Sequence, residues 1–141
     1  MKNKVLSVSL IILVCITLIG AVILILVMQL NKGDEVKEPT IDEIIESSVD
    51  IEEITTNLGN QQFVRLTLKI QTDNKLAGEE LAKRDFQVKN IVIQELSEMT
   101  SKDLEGKAGK KAFEDALKAH LNPLMQNGEV QKVYIVSYII Q

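Results

Sequence analysis

The sequence predicts an α+β protein in which a single N-terminal transmembrane helix precedes a small domain with the element order β-β-α-α-β. Three observations predict this fold class: a 24-residue apolar run near the N-terminus, a segment with strict apolar/polar alternation, and two segments with helical periodicity. We expect the helices on one face of an antiparallel-containing sheet. The 141 residues leave room for one core beyond the membrane segment.

The apolar run, residues 5–28, reads VLSVSLIILVCITLIGAVILILVM and contains no charged side chain. As a helix it spans about 36 Å, enough to cross a hydrocarbon core of about 30 Å. A cleaved secretory signal has an apolar region of about 7 to 15 residues, so the length favours an uncleaved anchor. Lys2, Lys4 and the α-amine of the four-residue stub 1–4 predict a cytoplasmic N-terminus and an extracytoplasmic C-terminal domain.

Residues 29–50 are predicted to form an acidic linker that leaves the membrane. Within it, Thr40 and Glu43 have the spacing of a capping box for a short helix. Its apolar stripe consists of Ile41, Ile44, Ile45 and Val49. This stripe is either a docking surface for a partner or part of the domain's own core. The acids of residues 42–53 lack the spacing of a calcium loop, which favours a solvated acidic face over a cation site.

The predicted extracytoplasmic domain, residues 51–141, opens with two strands. Residues 51–58 are rich in β-branched side chains, and Gly59-Asn60 is typical of a turn. Residues 63–71 then alternate between apolar and polar side chains, with Val64, Leu66, Leu68 and Ile70 on one face. The two strands therefore form an antiparallel hairpin with one buried face.

Helical periodicity begins near residue 78 and predicts one helix to residue 99 and a second over 110–122. The first helix carries two neighbouring apolar stripes. One consists of Leu81, Val88, Val92, Leu96 and Met99, and the other of Ala82, Phe86 and Ile93. The spacing favours a broad core face made of both stripes, and an oligomer contact by the second stripe is the alternative. The helix over 110–122 is expected to bury Phe113, Ala116, Leu117, His120, Leu121 and Leu124.

The only histidine, His120, falls on that apolar face, which favours a packed structural role over a catalytic or pH-sensing one.

The last predicted element is a strand. After an Asn127-Gly128 turn, residues 130–140 read VQKVYIVSYII and are apolar on both alternating faces. This pattern predicts a central strand that returns to the middle of the sheet. Regular alternation places Tyr134 and Tyr138 on the same face.

Composition excludes several classes of function. All 20 acidic residues but only 14 of the 16 basic residues follow residue 30, a net charge of −6 that disfavours a nucleic-acid partner. Cys15 is the only cysteine, so neither an intramolecular disulfide nor a cysteine-based zinc site can form. The sequence has no phosphate-binding glycine loop, no nucleophile elbow and no metal-ligand spacing. It predicts no catalytic, metal or cofactor residues, and hence no enzyme.

Four segments resemble the FliL family of flagellar basal body-associated proteins. They are ITTNLGNQQFVRLTLKIQTDNK from Ile54, LAKRDFQVKNIVIQEL from Leu81, DLEGKAG from Asp103 and VYIVSYIIQ from Val133. Together with the N-terminal membrane helix and the acidic linker, the resemblance extends over essentially the whole chain. It implies a protein of the bacterial cell membrane whose external domain is similar in fold to the stomatin and prohibitin (SPFH) domain.

The resemblance further implies a place at the flagellar motor beside stator units of the MotA/MotB type, support of torque generation, and self-association. It carries no catalytic residues. Under this hypothesis the lipid bilayer surrounds the N-terminal helix. The residues expected to make contact with other copies or with the stator are Ile41, Ile44, Ile45, Phe86 and Ile93. The alternative is a general membrane-tethered scaffold of stomatin-like type without a flagellar role.

Overall fold

The computed structural model describes residues 1–30 and 38–141, which divide into two compact units, Met1–Glu38 and Pro39–Gln141. The first unit contains helix α1, Lys2–Leu30. The predicted membrane segment lies within α1, the one helix of the described residues that is long and apolar enough to cross a membrane. The predicted linker began at residue 29, but residues 29 and 30 belong to α1, and residues 31–37 lie outside the described residues.

The second unit is an α+β domain, which confirms the predicted fold class. A short helix α2, Ile41–Glu46, leads into the hairpin of β1, Ser48–Asn57, and β2, Phe63–Thr72. Three helices follow, namely α3 Lys75–Lys83, α4 Asp85–Glu98 and α5 Gly106–Leu121. A 3-10 turn, Asn122–Leu124, then precedes the last strand β3, Val130–Ile140.

The three strands form an antiparallel sheet in the order β1-β2-β3, so β2 is the central strand. The prediction that the last strand occupies the middle of the sheet is therefore wrong. Its apolar character on both faces does not arise from burial on two sides, because Val136 and Ile139 are more than half exposed. Strand β2 agrees with its predicted pattern, since its four alternating apolar side chains are buried.

The helices cover one face of the sheet and close a single core. The buried side chains of β2 meet apolar side chains from the inner faces of the helices. Those of α3, α4 and α5 are Leu81, Val88, Val92, Leu96, Phe113, Leu117 and Leu121. Each of these side chains removes enough apolar surface from water to stabilise the fold by about 1.5 to 3 kcal/mol before entropic costs.

The helix predicted over 78–99 is divided in two at Arg84. This residue has φ −93° and ψ 15°, ends α3 and begins α4. Its carbonyl oxygen accepts hydrogen bonds from the N–H groups of Gln87 and Val88, and its side chain binds Glu80 and Gln87. Because no proline or glycine marks the break, the direction of the chain changes here without a stop signal in the sequence.

The second apolar stripe of this segment lies outside the core. Ala82, Phe86 and Ile93 are all exposed, so the favoured reading as a broad core face is wrong. The outer strands of a three-stranded sheet lie about 10 Å apart, which is close to the diameter of one helix. A layer of three helices is wider than this sheet, and part of its apolar surface therefore remains uncovered.

Two further expectations fail for geometric reasons. The register of β3 shifts between its pairings with Thr67 and Leu68, so Tyr138 lies opposite the buried Leu66 whereas Tyr134 lies opposite Lys69 on the other face. The two tyrosines thus do not share a face, because one extra residue in a strand reverses the alternation.

The prediction that His120 is packed in the core is also wrong. The His120 side chain is exposed, and its Nδ1 lies 2.8 Å from Glu95 Oε1 of α4.

Candidate functional site

Helix α2 presents its apolar residues in a defined arrangement at the start of the domain. The Thr40 side chain accepts from the Glu43 N–H, and the Glu43 carboxylate accepts from the Thr40 N–H at 2.7 Å, which is the predicted capping box. Ile41 and Ile45 are 67% and 55% exposed, whereas Ile44 is partly buried. The helix therefore displays two isoleucines to solvent and directs the third toward the domain.

The C-terminal end of α2 is fastened to the sheet. The buried Ser47 carbonyl oxygen accepts from the Thr72 N–H at 2.9 Å and from the Thr72 hydroxyl at 2.6 Å. Gly78 of α3 packs so closely on Ser47 that a Cβ there would lie 3.3 Å from its carbonyl group. These backbone contacts hold α2 in place although its outer apolar face has no cover within the described residues.

Phe86 and Ile93 lie seven residues apart on α4 and therefore share one helical face. Phe86 is 71% exposed and Ile93 is 41% exposed. Phe86 also lines a groove of about 510 Å³ together with the exposed Leu76 of α3. The structure thus brings Phe86 together with Ile93 and adds Leu76, while the isoleucines of α2 form a separate surface on another helix.

A polar cluster forms one wall of this groove. The Glu80 carboxylate accepts from the backbone N–H groups of Gln126 and Asn127 at 2.9 to 3.1 Å, and it forms an ion pair with Arg84 at 2.8 Å. Burial raises the pKa of the Glu80 carboxyl, but the hydrogen bonds from Arg84 and residues 126 and 127 outweigh it and lower the pKa to about 2. This satisfied carboxylate joins α3 to the loop before β3 and plays a structural part.

Sequence reasoning missed a third group of exposed apolar side chains, at the end of β3 and on both faces of the sheet. Val136 and Ile139 are exposed, as are Phe63 of β2 and Tyr138, whose ring lies 4.5 Å from the Lys110 ammonium of α5. The signal was present in VQKVYIVSYII, because a strand apolar on both faces must be covered on both faces or remain exposed on one. Only the position of β3 at the sheet edge decides between these outcomes.

The site is composed of apolar surface without a cluster of reactive side chains. Across residues 1–30 and 38–141, no three His, Cys, Asp or Glu side chains come together to hold a metal ion. Large exposed aromatic and aliphatic side chains of this kind are enriched where proteins bind other proteins.

Comparison with known proteins identifies the family. Residues 48–141, from β1 to the C-terminus, match the family described as "Flagellar basal body-associated protein FliL". The "Flagellar protein FliL" of Bacillus subtilis (strain 168) is 49% identical over 102 residues, which are 72% of this chain and 73% of the relative. The chain belongs to the FliL family.

Membership in the FliL family assigns the chain a flagellar accessory role at the basal body, as the resemblance implied. The apolar helix α1 fits a single-pass membrane protein. The matched residues contain Phe86, Ile93 and the exposed end of β3, whereas α1 and α2 precede them. The family assignment also favours the flagellar role over a general stomatin-like scaffold.

Proposed function

We propose that this FliL-family chain is a non-enzymatic accessory protein of the flagellar motor that binds stator units of the MotA/MotB type, supports torque generation and associates with copies of itself. The observation that carries the proposal is the match to the basal body-associated family over residues 48–141. The exposed apolar side chains of α2 and α4 support it, because they are suited to binding other proteins.

The proposed topology places the N-terminus in the cytoplasm and the domain outside the cell membrane. Lys2, Lys4 and the α-amine precede α1, and positive charge is retained on the cytoplasmic side. Stator units lie in the same bilayer. Anchoring therefore raises the effective concentration of the domain against its neighbours, to the millimolar range for a short tether. Contacts of modest strength then suffice for assembly.

The proposed contact surfaces on the two helices are Ile41, Ile44 and Ile45 of α2, and Phe86 and Ile93 of α4. Phe86 is the strongest anchor among them, because an aromatic ring can bury about 150 to 250 Å² and interface energy is concentrated in a few such side chains. The adjacent groove beside Leu76 offers room for an apolar side chain of a partner.

Localisation tests the motor assignment. A fluorescent protein fused to the N-terminus is imaged in flagellated cells that have the stator proteins and in cells that lack them. We expect foci at flagellar bases that disappear when the stator proteins are absent. Uniform membrane fluorescence from a functional fusion would instead favour a general scaffold and contradict the proposal.

Charge substitution tests the α4 surface. Phe86→Asp combined with Ile93→Asp is expected to disperse the foci and reduce swimming speed, because each new carboxylate would have to be desolvated in the contact. Ala119→Asp, on an exposed position of α5, is the matched control and is expected to leave both readouts unchanged. Normal foci and speed in the double variant, at normal protein level, would exclude this surface.

A further inference from the structure

The loop before β3 contains the one Asn-Gly dipeptide of the sequence, residues 127 and 128. Both residues are exposed. Gly128 has φ +144°, and a Cβ at this position would collide with the Asp73 carboxylate. The fold therefore requires glycine at position 128, both for its backbone angle and for the close approach of Asp73.

Asn127 is held by Glu80 of α3. Its backbone N–H and its side-chain Nδ2 both donate to Glu80 Oε2 at 2.9 Å. Its carbonyl oxygen accepts from Asn74 Nδ2 at 3.0 Å. Because an ionised carboxylate only accepts hydrogen bonds, the contact with Glu80 needs the donor of a side-chain amide. The loop therefore joins a required amide to a required glycine.

This dipeptide has a spontaneous reaction of its own, which needs only water. The Gly128 nitrogen forms a bond to Asn127 Cγ and loses its proton, the Cγ–Nδ2 bond breaks, and the amide nitrogen leaves as ammonia. Water then opens the resulting succinimide. Hydrolysis at Cγ gives aspartate, and hydrolysis at the main-chain carbonyl carbon gives isoaspartate. Glycine favours the attack because it has no Cβ to obstruct it and its backbone reaches the required angles.

We infer that Asn127 is a deamidation site whose reaction Glu80 slows, and that its conversion to aspartate or isoaspartate breaks the contact between α3 and the loop before β3. The aspartate carboxylate cannot donate to Glu80, and it places a second negative charge where a donor stood. Isoaspartate adds one carbon to the main chain beside Gly128, where the loop lies close to Asp73 and Ala77.

The modified residue belongs to the groove beside α4. Asn127, Glu80 and Phe86 all line this groove, so release of the loop alters the surface next to Phe86. Because the ammonia is lost, the change marks older copies of the protein and distinguishes them from newly made ones. The effect on partners rests on the function proposed above for Phe86, whereas the deamidation itself does not.

Peptide mapping by mass spectrometry tests the site in the full chain, purified in detergent and incubated in mildly alkaline buffer. We expect the mass gain of NH₂ replaced by OH at Asn127, at a rate about tenfold above that at Asn60 and Asn90. These two asparagines are matched internal controls, because they are exposed but precede glutamine and isoleucine. Equal rates at the three positions, or no gain at Asn127, would overturn the site.

Glu80→Gln tests the restraint on Asn127. We expect this variant to deamidate Asn127 about threefold faster, since a neutral amide holds the Asn127 carboxamide less firmly than a carboxylate does. Glu79→Gln, at an exposed position of α3, is the control and is expected to keep the wild-type rate. An unchanged or slower reaction in Glu80→Gln would contradict the restraint.

The consequence for the loop is measured on two variants. Asn127→Ala removes the side-chain donor, and Asn127→Asp removes it and adds the charge of the product. Both are expected to lower the unfolding temperature of the chain, and Asn127→Asp is expected to lower it more. Equal losses would contradict repulsion by Glu80, and an unchanged unfolding temperature in Asn127→Asp would show that the contact survives deamidation.

Localisation separates this inference from the proposed function. Asn127→Asp is expected to weaken the foci of the fluorescent fusion at flagellar bases, as the substitutions at Phe86 and Ile93 do. Normal foci in Asn127→Asp would overturn the effect on the groove and leave the proposed function intact. Absence of foci in the unsubstituted protein would contradict the proposed function, while the mass measurement would still decide whether Asn127 is a deamidation site.

Discussion

Helices α4 and α5 carry one phenylalanine each, and the two side chains have opposite surroundings. Phe113 of α5 is 1% exposed and touches the core beneath the sheet, whereas Phe86 of α4 is 71% exposed beside an open groove. Both residues belong to apolar stripes with helical spacing. The difference shows that in this domain an apolar stripe either builds the fold or remains available for a partner, depending on whether the narrow sheet reaches it.

The largest effect is expected from comparing these two phenylalanines. Phe113→Ala should lower the free energy of unfolding by about 3 to 5 kcal/mol, because it leaves a cavity in the core. Phe86→Ala should change it by less than about 0.5 kcal/mol. Urea denaturation of the purified chain in detergent, followed by circular dichroism, measures both. A large loss of stability in Phe86→Ala would show that this side chain serves the fold.

Two valines three residues apart on β3 sharpen the comparison within one strand. Val133 is 2% exposed and Val136 is 62% exposed. Val133→Ala should cost about 2 kcal/mol, since two methyl-sized groups leave a packed core. Val136→Ala should cost less than about 0.5 kcal/mol. The same denaturation assay gives both values, and equal losses would mean that Val136 is covered in the isolated chain.

Glutamates 79 and 80 extend the comparison to charged side chains. Because the pKa of Glu80 is lowered to about 2 in the folded state, its contribution to stability is complete above about pH 4.5 and is lost as the pH falls toward 2. Glu80→Gln should therefore lower the unfolding temperature at pH 7, and its difference from the wild type should shrink between pH 5 and pH 2.5.

The exposed neighbour Glu79 provides the control for this titration. Glu79→Gln removes the same charge one residue away and should leave the unfolding temperature nearly unchanged at pH 7. If both variants lost the same stability, net charge would explain the effect and the hydrogen bonds to residues 126 and 127 would not. A pH-independent loss in Glu80→Gln would also contradict the lowered pKa.

The sequence was sufficient for the elements whose patterns are local. The strict alternation of β2 predicted its buried face, and the length and composition of residues 5–28 predicted helix α1. The break at Arg84 was not predictable from local signals, since no proline or glycine marks it, and the Glu80 carboxylate beside it is bound by the backbone N–H groups of Gln126 and Asn127 from a distant part of the chain. Such contacts exist only after the chain has folded.

The candidate surfaces were predictable only in part, like the fold. Helical spacing placed Phe86 and Ile93 on one face of the helix, but spacing cannot tell which of two neighbouring stripes is covered. That depends on the width of the sheet, which has only three strands. The exposed end of β3 escaped prediction because the same apolar sequence describes a central strand and an uncovered edge strand equally well.

The two tyrosines of β3 give the smallest expected effect and test the register shift itself. The Tyr134 hydroxyl donates to Gln71 Oε1 at 2.9 Å, whereas Tyr138 contributes its ring to the Lys110 ammonium. Tyr134→Phe should lower the free energy of unfolding by about 0.5 to 1 kcal/mol through loss of that hydrogen bond. Tyr138→Phe keeps the aromatic ring and should change it by less than about 0.3 kcal/mol. Urea denaturation of both variants tests the register shift. A regular strand would give both tyrosines the same surroundings, and the two variants would then lose similar free energies of unfolding.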